Sequence, residues 1–297
     1  MSFQLDRRAL LGALAATALP LRAAAIAEPL ALTLKTATGR PSQISHWPAQ
    51  GRSRGTILFS HGAFSAPRFY TDLYAPWIAA GFDIFAPLHI DSREHPDAAK
   101  YPPMASWGAR LQDMRTLSAH VGKPYLAAGH SYGGLVALTL GGASSTPPEG
   151  FSPPLRDAKA KAVVAFSPPG PMPGLIAREG FATLATPAFI QTGTKDVPPG
   201  PPGAPVDPEG WGTHLAAFEE AAPGNSRYAL VIDGVDHYFG GAICRPDVPG
   251  PPQLKELAEA GRLSTLFLKS YGSGDKAAGK SLQNSLSDAG PFRLSRK

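Results

Sequence analysis

The stretch that most constrains this chain is Tyr125 to Leu140, YLAAGHSYGGLVALTL. An apolar run stops at Gly129, passes through Gly129-His130-Ser131-Tyr132-Gly133, and a second apolar run begins at Leu135. That pattern reads as a strand, a turn too tight for bulky neighbours, and a helix. In a G-x-S-x-G turn the glycines leave room for the serine to stand strained at the apex, its hydroxyl exposed and the next backbone N–H beside it. Ser131 is therefore the candidate nucleophile. A chain with 32 glycines meets the bare pentapeptide easily, so the reading depends on partners elsewhere in the sequence. The alternative, a glycine-rich helix start with a capping serine, needs no partners.

Strand-like and helix-like segments alternate along the rest of the chain. Leu30 to Leu34 and Ile44 to Trp47 read as an opening antiparallel pair. Thr56 to Phe59 and Asp83 to Pro87 read as strands, with an amphipathic helix between them that ends near Ala80. Further strands are expected at Ala162 to Phe166, Ala188 to Thr192 and Tyr228 to Ile232, and helices near Ala105 to Val121, Trp211 to Ala221 and Leu254 to Leu268. Such alternation argues an α/β fold, a mostly parallel central sheet of about eight strands with helices on both faces. The segment between Phe166 and Ala188 is too short for a large cap over the site.

A serine at such an elbow needs an imidazole to take its proton and a carboxylate to hold that imidazole in the right tautomer. Both should lie in loops at the C-terminal ends of later strands, the edge where parallel sheets bind ligands. Asp196 follows Ala188 to Thr192 across Gly193-Thr194-Lys195, and His237 follows Tyr228 to Ile232 across Asp233 to Asp236. Asp236 is the rival acid, but neighbouring side chains on an extended loop tend to point apart. His61 and His130 flank glycines and are expected to brace loops.

The order Ser131, Asp196, His237, with the segments TILFSHGA, GHSYGG, TGTKDVP and GVDHYF, resembles the α/β-hydrolase superfamily. Within it the chain is similar to the serine-dependent, dienelactone-hydrolase-like branch that includes platelet-activating-factor acetylhydrolases and polyester-cleaving esterases. The resemblance implies the α/β-hydrolase fold and cleavage of carboxylic esters, small-molecule or polymeric, through an acyl-enzyme. A cofactor-free perhydrolase or a polyester or lipid-ester hydrolase is the alternative on the same triad, and a binding protein on a hydrolase fold is the non-enzyme alternative. True dienelactone hydrolases carry cysteine at the elbow, so their lactone substrate does not carry over. The oxyanion would be met by the N–H of Tyr132 at a helix N-terminus and, by the family's pattern, by that of Ala63, with Phe64 as the fallback. Phe64, Tyr132, Trp211, Tyr238 and Phe239 would rim the site and favour an apolar acyl or aromatic group.

The N-terminus reads as an export signal, residues 1–27: Arg7-Arg8 precede an uncharged Ala/Leu run, and Ala25-Ile26-Ala27 offers a small-x-small cleavage pattern. The paired arginines look like a twin-arginine signal, with an ordinary secretory signal as the alternative, and either implies a periplasmic or secreted protein. The run is too short for a stable membrane anchor. Its loss, with Arg7, Arg8, Arg22 and Asp6, lowers the formal charge from +5 to +3, and the remaining basic residues are scattered, which argues against nucleic acid. One cysteine, Cys244, cannot form an internal disulfide. The eight histidines lack zinc-site spacing, so neither metal nor cofactor is expected. The catalytic domain should run from 28 to 272, and the polar, small-residue segment 273–297 is expected to be a flexible tail.

Overall fold

Two strands, β1 (Leu30–Lys35) and β2 (Pro41–Trp47), open the chain as an antiparallel pair, in a computed structural model that describes residues 26–102, 104–197, 207–224, 226–248 and 250–297. Gly39, at φ +82, supplies the left-handed residue their turn requires. Six apolar runs then form the parallel strands β3 (Gly55–Ser60), β4 (Phe82–Pro87), β5 (Tyr125–His130), β6 (Ala160–Phe166), β7 (Ala188–Gly193) and β8 (Arg227–Ile232). A final strand, β9 (Phe292–Arg296), pairs antiparallel with β8. The sheet order is β1-β2-β4-β3-β5-β6-β7-β8-β9.

Strand side chains alternate between faces, so one sheet feeds two cores. Ile57 and Phe59 of β3 and Ala162, Val164 and Phe166 of β6 face one side, packed against Trp77 of α1 (Thr71–Ala79) and Leu257 and Phe267 of α5 (Leu254–Ser273). Leu58, Val163 and Ala165 face the other, under Leu111, Met114 and Leu117 of α2 (Trp107–Val121) and Leu135 and Leu138 of α3 (Tyr132–Leu140). Covering both faces forces near-continuous apolar strands. The segment expected as a helix from Trp211 to Ala221 is a 3-10 turn, Gly210–Leu215, that leads into the short helix α4 (Ala216–Glu220). No cap domain is inserted between β6 and β7; the connection holds a small bridged turn, Met172 to Ile176, and a 3-10 turn, Arg178–Thr183.

The segment 273–297 is not a loose tail. Gly274 ends α5 in a left-handed conformation with its N–H on the Lys269 carbonyl, and Asp275 then caps α6 (Lys276–Asn284) by accepting the Ala278 N–H at 3.0 Å. Ala278 and Leu282 bury one face of α6, and Leu294 of β9 sits opposite Leu230. Composition misleads here because an edge strand is held chiefly by backbone hydrogen bonds. β9 needs one buried leucine and covers the edge that β8 would otherwise expose. The expected export signal lies outside the described residues apart from Ile26 and Ala27, as does most of the proline-rich run from Pro198 to Pro208. Among the described residues no helix is long and apolar enough to cross a membrane.

Candidate active site

β5 ends at His130, and α3 begins at Tyr132 with only Ser131 between them. Ser131 takes φ 54 and ψ −126, a conformation that side-chain-bearing residues avoid and that persists only where the surroundings enforce it. They do so here. The Ser131 N–H donates to the Phe166 carbonyl at 2.8 Å, and its own carbonyl accepts the N–H groups of Gly134 and Leu135. The flanking glycines are sterically required: a Cβ on Gly129 would lie 2.2 Å from the Gly133 carbonyl oxygen, and one on Gly133 would lie 1.9 Å from that of Ser60. The sharp turn thus brings α3 against the end of β3.

Asp196 and His237 meet in the loops after β7 and β8. His237 Nδ1 donates to Asp196 Oδ1 at 2.6 Å, and Thr192 Oγ1 donates to Asp196 Oδ2 at 2.9 Å. Asp196 is 1% exposed while the His237 side chain is 25% exposed, so the acid is shielded and the imidazole remains open to a ligand. Burial alone would raise the Asp196 pKa, but contacts with His214 and His237 outweigh it and hold the carboxyl far below the usual carboxylate range. Asp236, the rival acid, accepts the N–H of Tyr238 at 2.7 Å and of Gly240 at 3.1 Å. Its carboxylate closes its own loop.

The elbow, the His237 loop and the loop after β3 are tied by one hydrogen-bond chain. The Gly62 N–H donates to the Tyr70 hydroxyl at 2.8 Å, Tyr70 donates to His130 Nδ1 at 3.1 Å, and His130 Nε2–H donates to the His237 carbonyl at 2.8 Å. With Nδ1 accepting from Tyr70 and Nε2–H donating, His130 is the neutral tautomer. Burial, reinforced by neighbouring His237, brings its pKa down to about 3. His61 is also a brace: Nδ1 donates to the Gly62 carbonyl at 2.7 Å and Nε2 accepts the His89 N–H at 3.0 Å. Because Tyr70 takes the Gly62 N–H, Ala63 is the next donor along that loop, and among the described residues no protein acceptor takes the N–H of Ala63 or Tyr132.

A model of the alpha/beta hydrolase family matches residues 57–285, which is most of the chain and includes the elbow, Asp196 and His237. The chain belongs to the alpha/beta hydrolase family. Solved structures agree on the fold. The chain is similar to Thermogutta terrifontis esterase 2 phosphoramylated by tabun (TM-score 0.58, 15% identity, 84% of this chain and 96% of that one). It is also similar to the esterase domain of a Rhodothermus marinus protein (0.54, 12%, 82% and 99%) and to an alpha-beta serine hydrolase homologue from Coxiella burnetii (0.52, 15%, 80% and 97%). No curated protein matches the sequence.

Two expected rim aromatics of this hydrolase are instead core. Phe239, at φ 52, is fully buried with its ring 6.4 Å from that of Phe166, because the left-handed turn after Tyr238 folds the chain back under the sheet edge. Tyr132 is buried between Trp107 and Arg110, and its hydroxyl donates to the Met104 carbonyl. Phe64, Trp211 and Tyr238 are half-buried. The Tyr238 ring stands edge-on to His237 at 5.0 Å, and Trp211 lies on the turn that also carries His214.

Sequence reasoning missed the polar interior beneath the loop after β3. Arg110, wholly buried on α2, forms a double hydrogen bond to Asp91 at 2.9 and 2.8 Å. It also donates to the carbonyls of His61 at 2.6 Å and Gly62 at 3.1 Å, and its guanidinium lies 4.6 Å from the Tyr132 ring centre. One cation therefore grips two consecutive carbonyls of the loop after β3 and lies against the ring of Tyr132, the first residue after the elbow serine. Burial would raise the Asp91 pKa, but Arg110 overrides it and keeps the carboxyl well below its usual range. Alongside, His89 donates to Asp113 at 2.9 Å and accepts from Ser60, and Arg40 completes the set on Asp113. The one trace in the sequence is a pair of charges, Arg110 and Asp113, beside the apolar positions of α2.

His214 was missed as well. Its Nε2 lies 3.0 Å from Asp196 Oδ1, the oxygen His237 uses. Asp196, His214 and His237 carry the only group of His, Cys, Asp or Glu ligand atoms among the described residues close enough to share an ion, all within 4.8 Å. The 2.6 Å contact is that of a direct hydrogen bond, whereas two ligands on one zinc, at about 2.0–2.2 Å each, stand roughly 3 Å or more apart. The spacing favours a carboxylate held by two imidazoles.

Proposed function

We propose that this protein is a serine hydrolase of carboxylic esters that works through an acyl-enzyme, with Ser131 as nucleophile, His237 as general base and Asp196 as its orienting acid. The observation that carries the reading is the 2.6 Å contact of His237 Nδ1 with buried Asp196, at the same sheet edge as a serine forced into a strained elbow. With Nδ1–H committed to Asp196, the His237 Nε2 lone pair is free to take the Ser131 proton as Oγ attacks the ester carbonyl. The N–H groups of Ala63 and Tyr132 would receive the developing oxyanion, which the α3 N-terminus also favours. His237 then returns the proton to the leaving alcohol, and water repeats the sequence to release the acid. The esterases among the structural neighbours support an ester substrate, and the dienelactone-hydrolase-like branch is part of this proposal.

A fluorophosphonate probe tests the nucleophile without knowledge of the substrate. Wild-type protein should be labelled at Ser131 and Ser131→Ala should stay unlabelled; labelling elsewhere, or none, would reject the reading. A panel of esters of graded acyl and alcohol length then defines the substrate. Export by the twin-arginine route is proposed on the sequence alone. Exported protein should begin near Glu28, and replacing Arg7 and Arg8 with Lys should block its export; soluble protein that retains Met1 outside the cytoplasm would rule out cleavage.

A further inference from the structure

His214 sits on the 3-10 turn after β7, with its ring packed between the β6, β7 and β8 loops. Its Nδ1 lies 2.7 Å from the Pro168 carbonyl oxygen, and a carbonyl can only accept, so Nδ1 carries a proton. The other nitrogen, Nε2, lies 3.0 Å from Asp196 Oδ1. In a neutral ring with Nδ1 protonated, Nε2 would present a lone pair to a buried carboxylate, two acceptors in contact with almost no water. The approach is too bent to be a well-aligned hydrogen bond, so charge is what makes it favourable.

We infer that His214 is a second, doubly protonated histidine on the triad acid, a positioning residue that shares Asp196 Oδ1 with His237 and sets the pH at which the base becomes available. The inference rests on the triad proposed above. The titratable groups around His214 are Asp196 from the β7 loop, His237 from the β8 loop with ring centres 5.8 Å apart, and His130 from the elbow. His130 is neutral, which leaves one carboxylate between two imidazoles. Burial lowers the His214 pKa, but the Asp196 carboxylate outweighs it and the net direction is upward. A fixed cation beside Asp196 weakens the field that would hold a proton on His237.

Two variants and two measurements decide the matter. His214→Gln keeps a donor toward Asp196 without the charge, and His214→Phe keeps the ring volume without either. The rate of fluorophosphonate labelling of Ser131 against pH should rise at higher pH in both variants, by about one unit, the size expected from removing a like charge about 6 Å away. The plateau should stay within a few-fold of wild type in the Gln variant and fall about tenfold in the Phe variant. A lower plateau with an unmoved onset would mean a merely structural role and would overturn the inference. In ¹⁵N-histidine spectra of the wild-type protein at pH 7, both His214 nitrogens should fall in the protonated range; one unprotonated nitrogen would overturn it equally. If Ser131 is not labelled at all, the triad reading fails, and the spectra still decide the state of His214.

Discussion

Asp196→Asn is expected to lower turnover by on the order of 10⁴ with the fold retained, the loss seen when the acid of a serine triad becomes an amide. The amide can turn its NH₂ toward His237 Nδ1. The imidazole then has to carry its proton on Nε2, the nitrogen that must be vacant to accept from Ser131. It also leaves His214 facing a neutral group. Asp236→Asn should cost far less, because an amide oxygen can still accept the Tyr238 and Gly240 N–H groups that Asp236 now holds. Turnover of an activated ester, read beside the thermal midpoint of each variant, checks both. A larger loss for Asp236→Asn would make Asp236 the acid and the Asp196 contact structural.

The largest stability effect should come from Asp91. Asp91→Ala leaves the Arg110 guanidinium wholly buried without its counter-charge, a class of change that costs about 3–5 kcal/mol. Urea unfolding of the two proteins measures it, and a loss below about 1 kcal/mol would mean that the interior carbonyls alone satisfy Arg110. Replacing both partners, Arg110→Met with Asp91→Leu, should recover much of the stability because no unpaired charge remains. Turnover should stay low in that double variant, since nothing then grips the carbonyls of His61 and Gly62. Asp91 also contributes to acid sensitivity. Its folded pKa lies below the ordinary carboxylate value, so its stabilisation is present above the unfolded value and is lost as pH falls toward the depressed one. Asp196 acts in the same direction.

What could be read in advance was whatever local rules write into short segments. Apolar runs with turn residues between them located all of the parallel strands to within a few residues. The elbow was legible because its glycines answer a steric demand within five residues: at Gly129 and Gly133 a methyl group has nowhere to go. The tail was misread for the opposite reason. Its order comes from backbone pairing with β8, across a separation that composition does not register.

By itself, then, the sequence determined the fold class, the position of Ser131, and the chain order in which Asp196 and His237 follow it. The tertiary structure alone decided which groups meet. It separates Asp196 from Asp236 because one carboxylate reaches across 41 positions to His237 Nδ1 while the other is spent on N–H groups two and four residues away. It puts Phe239 in the core, Arg110 under the loop after β3, and His214 on the far side of Asp196. Each of these depends on contacts between loops of different strands. Strand periodicity states which face a residue takes but not how loops from neighbouring strands converge at the sheet edge, so the second histidine had no signature in the sequence and the buried charges left only Arg110 and Asp113 among the apolar positions of α2.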